Sequence, residues 1–336
     1  MTMIFVLDTN VWIKERLLRT VTGVAFLYAV RRVGGKLLLP DTTRREIITG
    51  VGRAGADAVK NIERGLGIVQ QLTGSSPGIV CPSIDAFRQS AETRLNEIGD
   101  LVLPVEVLER HLRSALDRVL DHRAPASTSE QFRDSILWEC ILDMKQNCLF
   151  VTEDGDFLDK KAKGTVLSPD LDKEAGGIVQ LFNNIEEVLR SIASQLPHHD
   201  DEAIAKVLAE AVLSEIESTI GDQGWHAGHR ISSSVELYAT ERLNATAAVF
   251  TLEFKALGGE DLQGRSVDEG VAQVSGKCML LGDLYISELA LDGIKLYTLE
   301  GDLMKGGAAI AKGVTFTSGT PDVPYSVRAP VPRTPA

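Results

Sequence analysis

A change of rhythm near residue 196 constrains this chain more than any other feature. Before it, short apolar runs alternate with helical stretches. "IFVL" (4–7) leads into helical sequence from Val11 to Arg32, and "KLLL" (36–39) into a long helical region from Thr43 onward. "GIV" (78–80) precedes a helical segment over 82–98, and "DLVL" (100–103) precedes another over 104–121. "FRDSILWECILDM" sets Phe132, Ile136, Leu137, Cys140, Ile141 and Met144 at helical spacing before the run "CLFVT" (148–152). Strands too short to alternate, separated by helices, predict a parallel sheet covered on both faces. After the helical segments 184–196 and "AIAKVLAEAVLSEIESTI", the runs "RISSSVELYATER", "AVFTLEFKAL", "AQVSGKCMLLGDLYISEL" and "GIKLYTLEG" are β-rich, alternate in part and carry Gly-containing connections. They predict a smaller, largely antiparallel β-rich domain. The expected layout is an α/β three-layer domain over 1–165, a helical connector over 166–225, a β-rich domain over 226–320 and a Pro-rich tail over 321–336.

Composition narrows the function classes. The formal net charge is −12, which argues against a surface that grips nucleic acid everywhere. Residues 197–336 carry 20 acidic against 11 basic side chains, leaving 27 against 24 in 1–196. The acidity therefore gathers in the C-terminal part. The N-terminal part holds basic clusters at Arg31–Arg32, Arg44–Arg45 and Lys160–Lys161 with Lys163. Cys81, Cys140, Cys148 and Cys278 show no CxxC spacing, so free thiols in a reducing cytoplasm are expected. Neither a membrane-length apolar run nor a signal peptide is visible.

Acidic residues recur where predicted strands end. Asp8 follows "IFVL", Glu46 stands early in the helix after "KLLLP", Asp134 near the start of the helix before "CLFVT", and Asp154 and Asp156 just after it. Carboxyl ends of parallel strands converge on one edge, where such folds bind ligands. Like charges held together call for a neutralising cation, and carboxylate oxygens suit Mg2+ or Mn2+. Each acid also has a plainer reading. Asp8 can close a strand, Thr43-Arg44-Arg45-Glu46 fits a capping box, Asp134 suits a helix's first turn, and Asp154 or Asp156 can cap "FLDKK". "HHDDE" (198–202) falls at a linker and reads as a solvated cap. Trp12, Trp138 and Trp225 are too scattered for a stacking platform.

The ordered set "IFVLDTNVWI", "LLLPDTTRREI", "FRDSILWECIL" and "CLFVTEDGDF" resembles the successive motifs of PIN-domain nucleases over roughly residues 3–160. The resemblance implies Asp8, Glu46, Asp134 and Asp154 as catalytic, metal-binding acids, Asp156 as a further candidate, and Asn10 and Thr152 as supporting groups. It implies one or two Mg2+ or Mn2+ ions and a nucleic acid substrate, RNA ahead of DNA. Arg44, Arg45, Lys160 and Lys161 are the candidate phosphate-binding residues. The two extra helical segments between Glu46 and Asp134 depart from the compact toxin nucleases. The C-terminal domain resembles no known module; a regulatory partner, homo-oligomerisation and a role in stress or phage defence are the expectations attached to it. Two rivals stay open: a PIN-like scaffold without turnover, and a haloacid-dehalogenase-like phosphatase, against which Asn10 stands where that family has a second Asp.

Overall fold

The computed structural model describes residues 2–75, 78–127, 131–159, 166–192, 196, 201–221, 224–242, 244–260, 266–282, 284–298 and 315–316. The chain forms two compact units, Met1–Ile192 and Ala193–Ala336.

The first unit is built on five parallel strands: β1 (Ile4–Leu7), β2 (Lys36–Pro40), β3 (Val102–Val105), β4 (Cys148–Val151) and β5 (Val179–Phe182). Their order is β3-β2-β1-β4-β5. Every residue of β1 is buried, as a run apolar on both faces requires. On one face, Trp138 and Ile141 of α6 (Phe132–Met144) pack with Ile4, Val6 and Phe150. On the other, Phe26 of α2 (Val21–Arg32) meets Phe5 edge-on, centroids 5.5 Å apart. This is the three-layer architecture expected from the sequence. The chain moves outward from β1 through β2 and β3, then returns to β1's other side at β4. The switch point therefore lies between the carboxyl ends of β1 and β4, the position where open parallel sheets take ligands.

Several elements differ from expectation. The predicted Val11–Arg32 helix is broken. After α1 (Thr9–Lys14), Arg16, Leu17 and Leu18 all adopt left-handed backbone, with φ 50°, 59° and 58°. Such a turn is unfavourable for side-chain-bearing residues. Burial of Leu17 and Leu18 offsets it, as does Arg94, which donates to their carbonyls at 3.2 and 3.3 Å. Thr20 then caps α2, accepting from the Gly23 N–H at 3.0 Å. "GIV" forms no strand, and Val80 is 95% exposed. The fifth strand is instead "VQLF", whose central Gln180 interrupts the apolar run. The expected connector 166–225 is shared between the units. Its first part supplies α7 (Pro169–Ala175), β5 and α8 (Ile185–Ser191) to the first unit. Its last part supplies α9 (Asp201–Gly221) to the second. Residues 321–336 lie outside those described.

Between Glu46 and Asp134 run α3 (Asp41–Thr73), α4 (Ile84–Glu97) and α5 (Glu109–Leu120). Gly52 and Gly55 let α3 approach α4 closely: an added Cβ would meet Arg88 at 2.9 Å and Phe87 at 2.4 Å.

The second unit is an antiparallel meander, β6 (His226–Ala239), β7 (Ala245–Glu260), β8 (Ser266–Leu281) and β9 (Tyr285–Thr298), with β10 (Thr315–Phe316) beside β9. Ile204, Leu208, Val212, Ile216 and Ile220 of α9 recur every fourth residue. They bury against Phe250, Leu252, Phe254, Val274 and Ile294. The alternate residues of the strands are polar and bond across them, as in Thr251 with Ser275 (3.2 Å) and Gln273 with Glu253 (3.0 Å).

Candidate active site at the carboxyl edge of the sheet

Asp8 follows β1 directly, and its backbone N–H continues the ladder to the Val151 carbonyl (3.0 Å). The side chain is only 2% exposed. Its Oδ2 accepts from Thr152 Oγ1 at 2.9 Å, and that fully buried hydroxyl accepts in turn from the Asp154 N–H at 3.0 Å. Thr152 thus ties the ends of two neighbouring strands together. Asp154 Oδ1 accepts the Asp156 N–H at 2.9 Å, an Asx turn rather than a helix cap. Phe157, fully buried against Phe150 (5.0 Å between centroids), anchors that turn. Asp156 accepts from Gln131 Nε2 at 3.0 Å.

Glu46 arrives differently from the capping-box reading. Pro40 is the N-cap of α3, so Thr43 lies inside the helix and Glu46 in its second turn. Both carboxylate oxygens are engaged. Oε1 accepts from Arg133 Nη1 (2.9 Å) and Oε2 from Thr9 Oγ1 (3.0 Å). Asp134 stands in the first turn of α6, beside Arg133.

Electrostatics bind these positions into one cluster. Burial, then the charges of Asp8, Asp154, Glu46 and Asp156 in that order, push the Asp134 carboxyl up to about 7. Burial also pushes Asp8 up to about 6, with the Asp154 charge adding to the rise and the Thr152 hydroxyl opposing it. The Arg133 guanidinium is raised by its hydrogen bond to Glu46.

Among the described residues no three His, Cys, Asp or Glu side chains close on a single point as ligands of a metal ion would. Glu46 is turned toward Arg133 and Thr9, and Asp154 toward its own turn. In kind, though, the donor set fits a hard divalent cation: carboxylate oxygens whose mutual repulsion a positive charge would relieve.

Of the supporting residues, Thr152 is integral, whereas Asn10 is exposed on α1 and its backbone N–H, not its side chain, faces Asp8. Arg44 bonds Asn96 Oδ1 at 2.9 Å and Arg45 is exposed. Lys160 and Lys161 lie outside the described residues. The sequence reading missed Arg133 and Thr9; their adjacency to Asp134 and Asp8 was the available signal. Cys140, Cys148 and Cys278 are buried, and burial pushes the first two thiols up to about 12, which leaves them unsuited as nucleophiles.

Residues 5–157 match the family described as PIN domain. The N-terminal unit carries a PIN domain. No curated protein and no solved structure matches the chain. PIN domains are in general nucleases that act on nucleic acid and use divalent metal ions. The match ends at Phe157, which packs the turn holding Asp154 and Asp156. The C-terminal unit lies beyond it. No described helix is long and apolar enough to cross a membrane.

Proposed function

We propose that the PIN domain is a metal-dependent endoribonuclease that hydrolyses phosphodiester bonds in single-stranded RNA. The observation that carries this reading is the gathering of acids at the carboxyl edge, where Thr152 joins Asp8 to the Asp154 turn and Asp134 is raised by burial and by the charges of Asp8, Asp154, Glu46 and Asp156. In this reading Asp8, Glu46, Asp134 and Asp154 hold one or two Mg2+ or Mn2+ ions. Bound there, the metal supplies an activated water and neutralises charge on the scissile phosphate. Thr152 fixes the Asp8 carboxylate and Thr9 that of Glu46, so that neither must be ordered when substrate arrives. Protons on Asp8 and Asp134 compete with the cation, so metal affinity should fall as pH drops below about 7.

Cleavage of a labelled single-stranded RNA with Mg2+ or Mn2+, wild type against Asp8→Asn, tests the reading, with circular dichroism to verify the fold. Metal-dependent cleavage should drop by at least about tenfold in the variant, since even groups that merely orient a metal ligand are worth about 10- to 100-fold. Equal cleavage by both proteins would remove Asp8 from the site. No cleavage by either would favour a second reading, a binding module without turnover, in which Arg133 permanently neutralises Glu46. The C-terminal unit is then proposed as the element that recruits a partner, a second copy or the substrate.

A further inference from the structure

We propose that Arg133 is a phosphate-binding residue whose ion pair with Glu46 is displaced when a divalent cation binds there, which couples substrate capture to metal loading. The proposal rests on the metal-dependent nuclease reading. Glu46 has one oxygen on Arg133 Nη1 (2.9 Å) and the other on Thr9 Oγ1 (3.0 Å). A hydroxyl and a divalent cation can share a carboxylate. A guanidinium and a divalent cation beside the same carboxylate repel each other. A metal ion drawing on Glu46 therefore displaces Arg133.

Arg133 can leave readily, because its side chain is 65% exposed, against 21% for Glu46, and its guanidinium regains water on departure. Among the described residues Glu46 is its one hydrogen-bond partner. Once free, the guanidinium remains on the first turn of α6 beside Asp134, at the edge where the substrate phosphate must lie. Its planar fork matches two phosphate oxygens, which a lysine ammonium cannot do. Two neighbouring cations among the described residues are committed elsewhere: Lys14 pairs with Glu153, and Arg44 bonds Asn96.

The test uses Arg133→Gln and Arg133→Lys in the full chain, folding checked by circular dichroism. Mn2+ binding is read by calorimetry without RNA, and KM and kcat on a labelled single-stranded RNA. Arg133→Gln should bind Mn2+ about three- to tenfold tighter, because a competing cation is gone. The same variant should show KM raised at least about threefold with kcat changed less than about twofold. A plot of log(1/KM) against log salt should be shallower by about 0.7, one phosphate contact on a single strand. Arg133→Lys should keep Mn2+ affinity within about twofold of wild type. Opposite movements of metal and substrate affinity are the signature, and a purely structural arginine would weaken both. Unchanged or weaker Mn2+ binding by Arg133→Gln, or an unchanged KM and salt slope, overturns the proposal. A wild type that binds no Mn2+ or cleaves nothing overturns the nuclease reading and this proposal with it, an outcome visible before any substitution is made.

Discussion

Replacing Asp134 with Asn should stabilise the metal-free protein, and by more at pH 8 than at pH 4. In the folded protein burial and four acidic neighbours hold the Asp134 carboxyl at about 7. Unfolding removes them, and the group returns to its ordinary value near 3.9. Below pH 4 both states keep the proton, so stability is unaffected. As pH rises from there toward 7 the unfolded chain loses its proton first. The native state then binds more protons than the unfolded one, and stability falls with rising pH until the native carboxyl has ionised. From 3.8 to about 7 is roughly three pH units, and about 1.4 kcal/mol per unit sets a ceiling of about 4 kcal/mol at pH 8. Asp8, itself raised to about 6, shares the repulsion, and the pair titrates together. Half the ceiling, ~2 kcal/mol, is the expected gain from neutralising one partner. For a unit of this size that raises the melting temperature by about 4–8 °C. Scanning calorimetry in EDTA at pH 4 and pH 8 measures it. In excess Mn2+ the order should reverse, since the variant has lost a ligand. A variant that melts at or below wild type at pH 8 in EDTA would falsify the crowding of carboxylates on which the site rests.

Thr152→Val removes one hydroxyl that both donates to Asp8 and accepts from Asp154. It should cost about 1–2 kcal/mol in thermal unfolding. It should also raise the Asp8 carboxyl further, so that the acid limb of the cleavage pH profile moves to higher pH; an unmoved limb would count against Thr152 as the group that holds Asp8 ionised. Arg118→Met tests a buried ion-pair network that ties α6 to α7. Arg118 is buried between Glu139 and Glu174, with both contacts at 2.5 Å, and also donates to the Ala124 carbonyl at 2.9 Å. Glu139 and Glu174 lose this guanidinium, and about 3 kcal/mol of stability should go with it, near the low end for a buried pair because Glu174 keeps some water and the Trp138 Nε1 hydrogen bond at 3.1 Å. A melting temperature within 2 °C of wild type would contradict that.

The sheet's centre was legible because "IFVL", "LLL" (37–39) and "CLFV" are apolar without interruption, which only burial on both faces explains. β5 was hidden by the same logic: Gln180 breaks its run, and the strand lies at the sheet's edge, where one position can face water. The left-handed turn at Arg16–Leu18 left no trace, since leucines favour a right-handed helix; what holds the turn comes from Arg94, distant in sequence. Of the candidate site, the acids could be placed by their position after strands. Thr43 in front of Glu46 was a decoy, because Pro40 starts the helix before Thr43 can cap it. Only its place beside Asp134 marked Arg133, because one exposed arginine in a first helical turn has no periodicity to single it out. Its partner is 87 positions away.

That separation has a consequence for how this domain can change. The chain leaves the site at Glu46, completes α3, builds α4, the edge strand β3 and α5, and returns at Arg133 within one hydrogen bond of its departure point. Asp8 and Thr152, meanwhile, are spaced by the rungs between β1 and β4, where Leu7 lies opposite Val151. The excursion is therefore a loop closed at its own root. The entropy of closing such a loop grows only with the logarithm of its length. Segments can be added or trimmed at the tip between α3 and α4, clear of β3, while the acidic edge keeps its dimensions. In this architecture what the protein reaches out to touch can diverge without retuning what it does at the sheet.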